Sequence, residues 1–180
     1  MANCIAALGY VASSTGCAPA AGTRTRIYVG NYDECALDAE GTGATLGKVP
    51  GFTMDATKVL YAIDIYQDSG VFEEKYTQDS ATWDTSGKGL IKSLAAAARN
   101  VFNDHAGAKL ILFIPLKSGP VKIVGCDDGA FLATNDASSA TGNVGEAFTY
   151  TAKNAAKKAL ELFDTDTATT LALLEDALTA

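Results

Sequence analysis

Histidine is almost missing from this chain: His105 is the one imidazole in 180 residues. Acid–base catalysis at neutral pH and metal ligation both lean on that side chain, so its scarcity removes their commonest constellations. His105 stands beside the end of a candidate helix, where a solvated structural imidazole is the plain expectation. The four cysteines, Cys4, Cys17, Cys35 and Cys126, show neither CxxC spacing nor a histidine cluster, which argues against zinc. Two readings of them stay open: a Cys4–Cys17 disulfide if the chain matures outside a cytosol, or four scattered, half-buried thiols. Basic residues are short as well, 14 Lys and Arg against 21 Asp and Glu, for a formal net charge of −7. Gripping nucleic acid needs clustered cations, so that role is disfavoured. No run approaches the roughly 18 apolar residues needed to cross a bilayer, and no membrane partner is expected. GxSxG, Walker A, GxGxxG, HExxH and EF-hand patterns are all absent. Asp127-Asp128-Gly129 pairs two carboxylates, but such turns are common and no calcium site is expected there. No catalytic residue, cofactor or metal is therefore expected, and a structural or binding role is the default.

What the chain does have is apolar content. Hydrophobic residues make up 48% and charged ones 19%, the balance of a globular protein. A single domain over 1–180 is the simplest division, able to bury about 70% of its unfolded surface. The most legible stretch runs from Ser86 to Leu132. Stepped at 100° per residue, Leu90, Ile91, Leu94, Val101 and Phe102 share one side and Lys88, Lys92, Arg99 and Asn103 the other. That predicts an amphipathic helix over Ser86–Asn103, closed by Gly107 in the left-handed conformation. Its charges oppose the macrodipole, so it has to be docked on something. Leu110-Ile111-Leu112-Phe113-Ile114 is the surface it requires, an apolar strand stopped by Pro115. Val121 to Gly125 alternates as the next strand, and Ala130-Phe131-Leu132 returns after the Asp-Asp-Gly turn.

Upstream, Arg24 to Asp33 reads as a strand, 38–51 as a glycine-rich loop, and Phe52 to Tyr66 as one long strand by its alternation. Asp68-Ser69-Gly70 turns that strand, and Val71 to Thr77 returns as its partner. The hairpin is acidic: between Gly30 and Asp84, eleven Asp or Glu stand against three Lys. Two readings are open, a solvated edge protected by its charges or a wall facing a water-filled channel. Downstream, Thr134 to Gly145 reads as a small-residue loop and Ala147 to Thr151 as a strand. Asn154 to Phe163 switches to helical period, and Thr169 to Leu178 aligns Leu171, Leu174 and Leu178 as a last short helix. Residues 1–23 form an extension, 24–151 the core and 152–180 a C-terminal segment. The extension lacks the basic start and dense apolar centre of a secretory signal and is expected to be retained.

The order of these features resembles that of bacteriophage tail tube (major tail) proteins. The resemblance rests on Ile27-Tyr28-Val29-Gly30-Asn31-Tyr32-Asp33, on Val121 to Gly129, and on the Thr141-Gly142-Asn143-Val144-Gly145 loop before the final strand. It covers roughly Arg24 to Thr151. It implies a mainly β, α+β fold: an antiparallel β-sandwich or small barrel of tail-tube type, with one central amphipathic helix; the helical period of the C-terminal segment, read from its own residues, departs from the strand end of that family. It also implies self-assembly into rings, commonly hexamers, stacked into a tube in the virion tail after assembly in the host cytoplasm. Neighbouring tail proteins would be further partners, with DNA only a passing cargo. The hairpin then becomes channel wall, with Asp64, Glu73, Glu74 and Asp79 facing a lumen that repels phosphate. The extension would be ordered by contact with other subunits. Another class of function, a capsid-decoration or secreted adhesion module of β-sandwich type, fits the same pattern, as does an enzyme whose site carries no recognised motif.

Overall fold

The computed structural model describes residues 22–94, 96–139 and 144–179, leaving aside the side chains of residues 96–99 and 154. The N-terminal elements are β1 (Arg26–Asn31), β2 (Cys35–Leu37), β3 (Lys48–Val49), β4 (Phe52–Met54), β5 (Tyr61–Asp64), β6 (Val71–Thr77) and β7 (Thr82–Ile91). There follow α1 (Ala96–His105), β8 (Leu110–Pro115), β9 (Val121–Val124), β10 (Phe131–Ser138), β11 (Gly145–Ala155), β12 (Glu161–Leu162) and α2 (Thr167–Asp176). A six-stranded sheet has the order β3-β12-β9-β8-β1-β5, a four-stranded sheet the order β10-β11-β7-β6, and β2 pairs with β4 alone. All these pairings are antiparallel except β12 with β3.

The apolar run predicted as a strand is β8, and it is buried along its whole length. Its side chains alternate between two cores. Leu110, Leu112 and Ile114 face the four-stranded sheet, with Ile27, Val29, Val124, Phe148, Tyr150 and Phe102 of α1. Ile111 and Phe113 face the other way, with Tyr28, Val121, Ile123, Leu162 and Leu174 of α2. Each such side chain contributes about 1.5–3 kcal/mol by leaving water. The six-stranded sheet is thus the middle layer. The four-stranded sheet and α1 cover one face, and α2 covers part of the other. The result is mainly β with two helices, and its sheets stay open; they do not close into a barrel.

Several expectations are corrected. Ser86–Ile91 is strand, paired with β11 throughout and with β6 as far as Lys88, and the helix starts only at Ala96. The inward side of β7 is Thr85, Gly87 and Gly89, so no apolar alternation marked it, whereas two glycines inside a helix would each cost about 1 kcal/mol. Phe52 to Tyr66 is broken between β4 and β5, with Thr57 at φ 70° and Leu60 turned into the second core. The expected hairpin of this strand with Val71–Thr77 does not form. Ile65 donates its N–H to Thr25 in one sheet and Tyr66 donates to Leu90 in the other, so the chain changes sheets there. β5 therefore pairs with β1, and β6 pairs with β7. Thr134 to Ser138 is edge strand; its polar text reflects exposure on both faces. Asn154 to Phe163 is not helical, since its amides find tertiary acceptors. Ala156 N–H donates to Asp127 Oδ2 at 3.2 Å and Ala159 N–H to Glu74 Oε1 at 2.9 Å. β11 also runs across the boundary drawn between core and C-terminal segment. The predicted last helix is α2, with a capping box formed by Asp166 and Thr169. Residues 1–21 of the extension, with Cys4 and Cys17, and the loop from Thr141 to Asn143 lie outside the described residues.

Gly87 and Gly89 let the two sheets approach. A Cβ on Gly87 would lie 2.4 Å from Ile114 Cδ1, and one on Gly89 would lie 2.8 Å from both Ile65 Cγ2 and Phe148 Cζ. Ile65 is stiff and the Phe148 ring is held by Phe102 at 5.3 Å between centroids. Gly89→Ala should therefore destabilise the fold by about 1–3 kcal/mol through overpacking. Gly87→Ala meets mainly the end of one side chain and should cost less. Urea unfolding of the two variants checks the ranking, and equal stability to wild type at Gly89 would show the sheets to be loosely packed.

Candidate functional site

Of the four carboxylates expected on one wall, the fold separates three directions. Asp64 is on β5, at the edge of the six-stranded sheet, where its Oδ1 takes Arg26 Nε at 2.7 Å. The same guanidinium reaches Glu175 Oε1 of α2 at 3.1 Å, and Tyr28 Oη donates to Glu175 at 2.5 Å. Tyr28 and then Arg26 hold the Glu175 carboxyl below its usual range. This cluster ties α2 to β1. Glu73 is on the exposed side of β6, with Lys88 Nζ at 2.5 Å, while Glu74 points to the opposite side and is held by the Ala159 amide. Asp79 is exposed in the turn between β6 and β7.

The acidic surplus of the 30–84 stretch is also local to the sequence. Bases from elsewhere in the chain reach it: Arg26 on Asp64, Lys157 on Glu40 at 2.7 Å, Lys88 on Glu73 and Lys117 on Asp68. Lys58 within the stretch takes Glu34 at 2.6 Å. Across the outer side of β6 and β7 the charges alternate, with Lys75 opposite Asp84 and Glu73 beside Lys88. The turn at Asp127 and Asp128 has structural duties. Asp127 accepts from Ala156 N–H, its backbone carbonyl takes Tyr32 Oη at 2.8 Å, and Asp128 meets Lys109 at 3.2 Å. Among the described residues no group of three or more His, Cys, Asp or Glu is placed to hold a metal, and no helix is long and apolar enough to cross a membrane.

The feature that the sequence reading misplaced is His105. It is buried, not solvated, with 8% of its surface exposed. It lies one turn beyond Val101 and Phe102, on the inward side of α1, and that spacing was the available signal. Its Nδ1 is 2.5 Å from the hydroxyl of Tyr150, which is itself fully buried on β11. The pair shares one proton across this contact, and which atom donates follows from the tautomer of the ring. Burial pushes the Tyr150 phenol up, so it stays neutral. Beside the ring opens a groove of about 230 Å³ where α1 ends against β1, β5 and β8. Val29, Val101 and Leu110 form its apolar walls, Tyr61 and Asp104 its rim, and His105 lines it. Tyr61 is 59% exposed and Asp104 is exposed.

No family model matches this chain, and neither a curated protein nor a solved structure does.

Burial lowers the His105 pKa, outweighing the opposing pull of Asp104. A histidine held neutral in the fold stabilises it above the unfolded value of about 6.5, and that stability is lost as pH falls below it. Between pH 7 and 5, unfolding free energy should decline with a slope of up to about 1.4 kcal/mol per pH unit from this one group. Urea titrations at several pH values should show the decline in wild type and a flatter profile in His105→Gln. Identical profiles would show that His105 protonates without cost.

Proposed function

We propose that this chain is a structural, ring-forming subunit of a bacteriophage tail tube. The observation that carries the reading is the four-stranded sheet, whose edge strands β6 and β10 have no outer partner strand among the described residues. Its strands alternate in direction and number four, so the edge strands β6 and β10 run opposite ways. Rotation about an axis along the strands brings β6 of one copy beside β10 of the next as an antiparallel pair, the geometry of a closed ring. Beside their charged residues both edges carry exposed large apolar groups, Val71 and Tyr76 on β6 and Phe131 on β10, which a neighbouring strand would cover. The resemblance to tail tube proteins, given above, points the same way.

In such a ring the outer side of the four-stranded sheet lines the lumen. Glu73 and Asp79 remain candidates for that wall. Asp64 and Glu74 do not, because one belongs to the other sheet and one is turned inward. The wall is then a surface of alternating charge with no lysine or arginine cluster, which still offers passing DNA little purchase. Electron microscopy of the purified protein tests the reading: rings or tubes are expected, and a monomer at high concentration would favour a decoration or adhesion module. Val71→Lys combined with Phe131→Lys should leave folding nearly intact, since both side chains are exposed, and should abolish ring formation. Unchanged rings in that variant would show that the edges are not the interface.

A further inference from the structure

The groove beside His105 and the side chain of Arg24 sit at opposite ends of β1. From residue 24 to residue 31 the strand path covers roughly 23 Å at ~3.3 Å per residue. Arg24 is exposed, and its backbone N–H is fixed on Pro115 O at 2.8 Å. Two residues on, on the same side of the chain, Arg26 takes up both nearby carboxylates, Asp64 and Glu175. Among the described residues Arg24 forms no ion pair, and neither does Asp104 in the groove. One end of the molecule therefore presents a cation, and the other a carboxylate set in a concave site.

We propose that the groove receives Arg24 of a second copy of this chain, joining subunits head to tail along the β1 direction. The inference rests on the self-assembly reading above and names the contact between successive layers. Each part of the groove has a use for an arginine. The exposed Tyr61 ring offers a face for the guanidinium, and Asp104 offers the charge-assisted acceptor. Val101 and Leu110 cover the aliphatic stem. His105, held in place by the Tyr150 hydroxyl, adds a polar group to the lining. Because the two mating patches differ and lie at opposite ends, the contact is heterologous and does not close, so copies add without limit.

Charge exchange in the full chain tests this, with sedimentation velocity and electron microscopy as readouts and circular dichroism to check folding. Arg24→Asp and Asp104→Arg should each raise the protein concentration needed for stacking at least about tenfold. The double variant should restore stacking toward wild type, which generic damage from either change would not do. Arg24→Gln and Tyr61→Ala provide milder versions should either reversal unfold the chain. Stacking unaffected by the single changes, or a double variant no better than the singles, overturns the contact. Wild-type rings that never stack also overturn it while leaving the ring reading intact. Open chains without rings, sensitive to the exchange, support the contact and sink the ring reading, and persistent monomers sink both.

Discussion

The burial of β8 on both faces is the constraint on which the rest of the molecule depends. A strand with apolar side chains on one face needs one covering layer; Leu110 to Ile114 needs two. The four-stranded sheet with α1 supplies one, and α2 with Leu60 and the β2–β4 pair, through Leu37, Phe52 and Met54, supplies the other. β8 pairs with β1 on one side and β9 on the other, so its backbone polar groups are satisfied within the sheet while both faces stay dry. Every remaining element covers this layer or connects the elements that do.

Covering a flat layer closely requires the cover to come near it, and here that need is met by leaving side chains out. Gly87 and Gly89 present bare backbone to Ile114, Ile65 and Phe148. The two sheets share one chain at Ile65 and Tyr66, where successive amides bond into different sheets. Gly70 follows, so close to Thr23 and Ile65 that no side chain fits there. Connection and contact are thus built at the same corner.

Electrostatics in this molecule is arranged over long sequence separations. Glu40 finds Lys157, Asp68 finds Lys117, and Arg26 links β1, β5 and α2 through Asp64 and Glu175. Most of these pairs are solvent-exposed and stabilise weakly one by one. They do redistribute charge, so an acidic segment of sequence does not become an acidic surface. His105 is buried against Tyr150, and its location beside an open groove separates it from the merely structural pairs.

Read alone, the sequence determined the strands whose burial is written in their composition: β1, β8, β9 and the centre of β11, together with the mainly β class and the leucine spacing of α2. Those residues are apolar because they face a core, so their pattern is visible without partners. The sequence could not determine β7, whose buried face is largely glycine, or the length of β10 beyond Leu132, where no buried face marks it. Nor could it show that residues 154–163 avoid a helix, because Asp127 and Glu74 come from distant positions to take their amides. The candidate groove was illegible for the same reason: Val29 and Tyr61 are far in sequence from Asp104 and His105, as is Tyr150, and only packing brings them together. Composition records which surfaces leave water; the partners of polar and small residues are set by which distant segments meet, and that the tertiary structure alone decides.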